Sequence, residues 1–272
     1  MAKRPAPSEE TKLRFRLYEE AVQSPNWQAD HLPEFHRKFT GRTPYLMRED
    51  FSGTGLISCA WAKKSPKHRA VGLDLDEETL AYAELNRAAL PAKARDRVEF
   101  RRQNVLEPTK EKFDLIGAYN FSFFVFHERC DLLRYARSAH ASLKRNGTLF
   151  LEMAGGEGFK QPRQDRRKGK LKGVGPFDFI CEHHQFDPIT AVCDYSIHFK
   201  LPRRPWMNDV FTYHWRIWEI RDVREVLAQA GFRKTYVLWE KGDRRGEGTG
   251  EYYPTESGEN EDTYIAFVVG VK

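Results

Sequence analysis

Between residues 45 and 153, short apolar runs alternate with stretches whose apolar positions recur every three to four residues, and this alternation constrains the fold more than any other feature. Strand-like runs occur at 45–48, 70–74, 98–102, 114–119 and 148–153. Helical faces fall among them: Leu56, Cys59 and Ala60; Ala81, Leu85, Ala88 and Ala89; and Leu132, Leu133, Ala136, Ala139 and Leu143, closed by Asn146-Gly147. Asp76, backed by Glu77 and Glu78, is placed to start the second of these helices. Strands spaced by helices cannot pair through tight hairpins, so the pattern predicts an α/β fold with a parallel, doubly wound sheet.

After Ala154 the apolar period drops to two. Residues 177–185 alternate, Asp187-Pro188 makes a turn, and Cys193, Tyr195, Ile197, Phe199 and Leu201 share one face before an aromatic-rich strand at 211–218. This predicts an antiparallel insertion over residues 155–218. A helix carrying Val223, Val226, Leu227 and Ala230 follows, then a strand at 235–239 and a last strand at 263–269. No helix separates those two strands, so they are expected to pair antiparallel. At the other end, Pro7-Ser8-Glu9-Glu10 starts a helix with Leu13, Leu17, Tyr18, Ala21 and Val22 on one face. A second, short helix is expected after Trp27, ending before Gly41. The chain thus divides into N-terminal helices (1–40), a core (41–154 and 219–272) and the insertion (155–218).

Composition excludes several classes. The chain of 272 residues has no apolar run near the ~20 residues of a membrane span. Met1-Ala2-Lys3-Arg4-Pro5 leads into charge rather than a signal-peptide core. Cysteines 59, 130, 181 and 193 form no Cys-x-x-Cys pair and read as reduced thiols, so a cytoplasmic protein without a membrane partner is expected. The net charge of +6 is equalled by one segment, Lys160 to Lys172, where seven basic side chains face Asp165 alone. That segment reads as a mobile, solvated loop that closes over a pocket, or as a docking arm for nucleic acid; it holds no aromatic for stacking on bases, which favours the loop. From Glu240 to Asp262, eight acids stand against Lys241, Arg244 and Arg245, and this reads as a disordered hairpin tip.

The chemistry concentrates after the first strand, in Glu49-Asp50-Phe51-Ser52-Gly53-Thr54-Gly55, with Asp74 ending the second strand 19 residues beyond Gly55. Glycines at a strand-to-helix turn let a ligand approach the backbone, and a carboxylate about 20 residues on can accept from a ribose diol. The pair points to a cofactor containing a nucleoside; Asp76 is the alternative ribose ligand. In these residues the chain resembles the class I S-adenosylmethionine-dependent methyltransferases over roughly residues 40–153 and again from about 219. The resemblance matches Glu49 to the acid that opens the family's first motif, Gly53 and Gly55 to its last two glycines, Asp74 to the ribose carboxylate, Asn104 to the adenine contact, and Asn120-Phe121 to the positions flanking the transferred methyl. It implies a Rossmann-like, doubly wound seven-stranded sheet with an antiparallel last strand pair, and S-adenosyl-L-methionine as cofactor. The implied cofactor set is Glu49, Phe51, Gly53, Thr54, Gly55, Asp74, Leu75, Asn104, Val105, Asn120 and Phe121, with Tyr18 and Trp27 contributed by the N-terminal helices. Phe51 departs from the pattern by standing where the family has its first glycine, which leaves open a degenerate, non-catalytic site.

Methyl transfer is an in-line displacement that draws its rate from positioning and dehydration, so no catalytic signature is required. Candidates for a catalytic role are Asn120, Tyr119 and His214; Phe123, Tyr213, Trp215 and Trp218 are candidates for an aromatic wall around the acceptor. His127, His183 and His184 are further possible bases. No histidine spacing suits a metal, and none is expected. The resulting reading is methyl transfer to N or O of a small molecule, with the insertion covering the acceptor or forming a homodimer interface, as such insertions do in sugar N-methyltransferases and glycine N-methyltransferase. The alternatives are an RNA or protein methyltransferase that docks through residues 160–172, and an inactive binding module.

Overall fold

The computed structural model describes residues 6–243 and 248–272; Met1 to Pro5, and Arg244, Arg245 and Glu247 of the acidic segment, lie outside the described residues. The chain opens with helices α1 (Glu9–Val22) and α2 (Pro25–Thr40), then runs β1 (Leu46–Asp50), α3 (Leu56–Lys64), β2 (Arg69–Asp74), α4 (Glu77–Ala88), a single turn α5 (Ala92–Arg95) and β3 (Val98–Arg102). It continues through β4 (Phe113–Ala118), α6 (Arg129–Ser142) and β5 (Leu143–Gly155). Four long strands follow, β6 (Arg163–Leu171), β7 (Gly175–Asp187), β8 (Val192–Lys200) and β9 (Trp206–Arg216), and then α7 (Ile220–Gln229), β10 (Lys234–Gly242), β11 (Gly248–Thr255) and β12 (Tyr264–Val271).

Among the described residues the strands form two sheets, ordered β11-β10-β12-β5-β4-β1-β2-β3 and β6-β7-β8-β9. In the first, β1 to β5 are parallel, and β12 inserts antiparallel between β5 and β10. The apolar runs are buried on both faces, as a helix-covered parallel sheet requires. One face packs with Phe113, Ile116, Leu149 and Leu151 against α6 and α7, the other with Met47, Leu115 and Phe150 against α2 and α3. The helix starts follow from capping: Ser8 accepts from the Thr11 N–H and Asp76 from the Thr79 N–H.

Four expectations change. The large sheet has eight strands rather than seven, because the segment expected to be a disordered hairpin tip forms β11, paired antiparallel with β10 through Trp239↔Tyr253 and Glu240↔Tyr252. The basic segment is strand β6 rather than a mobile loop. As the edge of the second sheet it leaves one row of backbone groups unpaired, and lysine and arginine on such an edge oppose pairing with another chain. Asn146-Gly147 does not close α6, which ends at Ser142; Asn146 takes φ 64 at an irregularity early in β5. Trp27 also lies inside α2, which begins at Pro25.

Helix α1 joins the two sheets. Leu17 packs among Leu171, Phe177, Phe179, Ile197 and Phe199 of the second sheet, while Thr11 donates to Glu78 on α4 (2.8 Å).

Candidate active site

Order reverses in the first sheet at β1, which has β2 and β3 on one side and β4 and β5 on the other, and crevices open beyond the carboxyl ends of strands at such points. Beyond β1 the chain turns through left-handed backbone at Phe51 (φ 54), Gly53 (φ 52) and Gly55 (φ 71). A Cβ at Gly55 would fall on the Phe100 ring, and one at Gly72 would lie 2.6 Å from the same ring, so Phe100 fills the space beneath the turn. Phe51 holds its conformation with a side chain present. Its ring packs 5.9 Å from both Phe126 and Tyr135, which offsets a strain of about 1–2 kcal/mol.

Asp74 ties the turn to β2. One oxygen accepts from the Gly53 N–H (2.8 Å), the other from the N–H groups of Leu75 (2.8 Å) and Asp76 (3.0 Å). This fixes a half-buried carboxylate at the end of β2 beside the glycine turn, whereas the Asp76 carboxylate is taken up in capping α4 (2.6 Å). Glu49 is buried and accepts from the N–H (2.8 Å) and hydroxyl (2.5 Å) of Ser58 in the first turn of α3, and burial pushes its carboxyl up to about 8. On the opposite face, Asp50 pairs with Arg48 and accepts from the Tyr135 hydroxyl (2.9 Å), all three buried.

Asn104 closes an Asx turn by accepting from the Leu106 N–H (2.9 Å) at its side-chain oxygen. Val105 is buried beside it and Leu75 stays 56 % exposed. The Thr54 carbonyl accepts from Asn86 (2.9 Å), which also donates to Glu19 (2.7 Å), so α1 roofs the glycine turn.

At the end of β4, Asn120 (φ 50) and Phe121 (φ 59) are consecutive left-handed residues, and the Asn120 N–H donates to Glu152 (2.7 Å). Two such non-glycine residues in succession mark a site held in place by its surroundings. They face a cleft of about 1040 Å³ walled by Tyr18, Trp27 and Gln28, by Glu152, by the inner face of the second sheet, and by Glu240 and Tyr252.

Of the residues singled out from sequence, Tyr18, Trp27, Asn120, Phe121, His183, Tyr213 and Trp215 line this cleft. Tyr18 and Tyr213 share a hydrogen bond, and the Trp27 indole donates to the Gly250 carbonyl (2.6 Å). The remaining candidates do not line it: Glu49, Phe51, Gly53, Thr54, Gly55, Asp74, Leu75, Asn104 and Val105 lie at the glycine turn and the neighbouring strand ends outside it. Phe123 is fully buried in the core, and the Trp218 indole donates to the Phe126 carbonyl (3.0 Å). Tyr119 is buried against Gly117. His214 lies on the outer face of β9, bonded to Asp194 (2.5 Å), because side chains alternate and its neighbours Tyr213 and Trp215 point inward. His127 Nε2–H donates to the His214 carbonyl (2.8 Å), and His184 meets the Ser196 hydroxyl (3.1 Å), so both are engaged away from the cleft.

Glu152, Glu240 and Gln28 were not among the sequence candidates. Burial pushes Glu152 up to about 7, with the Glu240 carboxylate adding to the shift; Glu240 is itself raised by burial and accepts from the Gly250 N–H (2.8 Å). A signal for Glu152 exists in the sequence: it is a single acid inside the apolar run Leu149-Phe150-Leu151-Glu152-Met153-Ala154.

Residues 52–149 match the profile of a methyltransferase domain family. The release factor glutamine methyltransferase of Enterococcus faecalis (strain ATCC 700802 / V583) is 28% identical over 160 residues, 50% of this chain and 55% of that protein. The chain therefore spans about half the length of this curated relative. Two solved structures share the fold: a S-adenosylmethionine-dependent methyltransferase from Clostridium acetobutylicum ATCC 824 (15% identity, TM-score 0.69, covering 95% of this chain and 98% of that one), and CalS10, an amino pentose methyltransferase from Micromonospora echinaspora solved with its methyl donor bound (14% identity, TM-score 0.67, 94% and 96%).

Proposed function

We propose that this chain transfers a methyl group from S-adenosylmethionine to N or O of a small molecule, on the match of residues 52–149 to a methyltransferase domain family and the fold shared with a S-adenosylmethionine-dependent methyltransferase. The observation that carries this reading is the strained Asn120-Phe121 turn, which lines the aromatic cleft and follows β4, the parallel neighbour of the strand β1 that leads into the glycine turn. The residues suit the donor. The Asp74 carboxylate suits a ribose diol, the exposed Leu75 an adenine face, and the Asn104 amide NH2 a ring nitrogen. Phe51 supports rather than opposes this fit, since it adopts the left-handed backbone a glycine would supply.

The donor supplies an electrophilic methyl on a sulfonium. The chain's own part is to hold that carbon at Asn120, align an acceptor in the cleft, and exclude water with α1 and the second sheet. The amino sugar acceptor named for CalS10 supports a small molecule. A protein acceptor is a second reading, favoured by the activity named for the Enterococcus relative, with exposed Arg166, Lys168 and Lys170 of β6 as the docking edge.

Calorimetric titration with S-adenosylhomocysteine tests the donor site. Wild type is expected to bind, and Asp74→Ala to bind at least about tenfold more weakly, the equivalent of one charge-assisted hydrogen bond. Absence of binding by wild type overturns the reading.

A further inference from the structure

We propose that the acceptor is an amine that reaches the cleft as an ammonium ion, and that Glu152 binds this ion and takes its proton before methyl transfer. The inference rests on the methyltransferase reading and deepens it.

Position comes first. Glu152 is the single acid within the apolar run of β5, lines the cleft and is fastened through one oxygen to the Asn120 N–H (2.7 Å), at the left-handed turn that follows β4. No other cleft carboxylate touches that turn among the described residues. His183, with Asp165 3.3 Å from its Nε2, belongs to the second sheet and makes no hydrogen bond to Asn120.

The second argument is the polarity of the groups around it. The Glu240 carboxylate disfavours charge on Glu152, Glu261 disfavours charge on Glu240, and among the described residues neither Glu152 nor Glu240 forms an ion pair with lysine or arginine. Gln28, 5 % exposed, lines the same cleft, and its side-chain carbonyl oxygen is buried without a hydrogen-bond partner. The arginines that line the cleft belong to β6 and are engaged there, Arg163 by Asp165 and Asp262, Arg166 by Gln164, and Arg167 over the Phe179 ring. Acceptors to which no described cation is paired leave a position suited to a group with several N–H donors and a positive charge. Trp27 and Tyr252, 4.7 Å apart, add ring faces that favour a cation.

Acidity then separates amines from alcohols. Held at about 7, the Glu152 carboxylate lies ~3 units below an ordinary ammonium near 10 but ~9 units below an alcohol, whose acidity is close to that of water near 16. It can therefore deprotonate the first at modest cost and not the second. The proton passes from nitrogen to Glu152. The freed lone pair then forms the N–C bond as the S–C bond breaks, its electron pair stays on sulfur, and the product leaves as a methylated ammonium.

Benzylamine and benzyl alcohol are suitable probes, titrated calorimetrically in the presence of S-adenosylhomocysteine. At pH about 8, wild type is expected to prefer the amine at least tenfold, and the preference to shrink toward pH about 6 as Glu152 protonates. Glu152→Gln keeps an acceptor for Asn120 but should bring the preference to within about twofold; Glu240→Gln should lower it about threefold and serves if the first variant does not fold. Titration of wild type with S-adenosylhomocysteine alone separates the two levels. No donor binding defeats the methyltransferase reading. Donor binding without a preference for the amine, including binding of neither probe, or a preference undiminished in the folded variants, defeats this inference alone.

Discussion

A single methyl group added at Gly55 would meet the Phe100 ring on backbone at φ 71, which side chains rarely adopt. Gly55→Ala is therefore expected to cost about 2–4 kcal/mol in chemical denaturation, combining overpacking with left-handed strain, and to weaken S-adenosylhomocysteine binding at least tenfold. Glu49 acts at the same scale through pH. Its folded carboxyl sits at about 8 against 4.5 for an unburied one, so between those values the native state binds more protons than the unfolded chain. Stability is then full at the acidic end of this window and declines as pH rises through it, by up to a few kcal/mol. Glu152, at about 7, adds to the same trend. Urea midpoints at pH about 5 and about 8 measure the decline, and Glu49→Gln, which still accepts from Ser58, should reduce it.

At the scale of elements, β6 explains where the positive charge went. Arg166, Lys168 and Lys170 are exposed on an edge strand. Replacing all three by threonine should change stability by less than about 1 kcal/mol yet raise light scattering at high concentration, because the unpaired edge loses its repulsion. The strands that were legible in sequence are those buried on one or both faces, where apolar runs or strict alternation leave a mark, as in β2, β8 and β12. β6 and β11 lie on edges and escape the pattern: β6 buries little besides Leu171, and β11 only partly covers Tyr252 and Pro254. The glycine turn, Asp74 and the inward pair Tyr213 and Trp215 were legible because spacing and alternation fix their direction. Glu152, Glu240 and Gln28 were not, since they come from three elements brought together only by the sheet order β10-β12-β5 and by α2 lying across it. Tyr119 and His214 were misplaced as candidates for a related reason. One residue of register decides which face a strand side chain takes.

At the scale of the molecule, α1 is the piece that makes the two sheets one site. It fastens to the glycine turn through Glu19 and Asn86 and to the second sheet through Leu17. Leu17→Ala should cost about 2–5 kcal/mol and weaken S-adenosylhomocysteine binding, read by thermal unfolding and calorimetry on one preparation. The partners of Leu17, from Leu171 to Leu201, also lie more than 150 residues further along the chain. During synthesis the Leu17 face of the helix therefore has nothing to settle on until the second sheet has been made, although its Glu19 side already meets α4. Contacts of such long sequence separation form late. The lid of the donor crevice, although encoded first, is thus expected to be the last part to close, and a nascent chain bearing an intact glycine turn would still be unable to retain a ligand there.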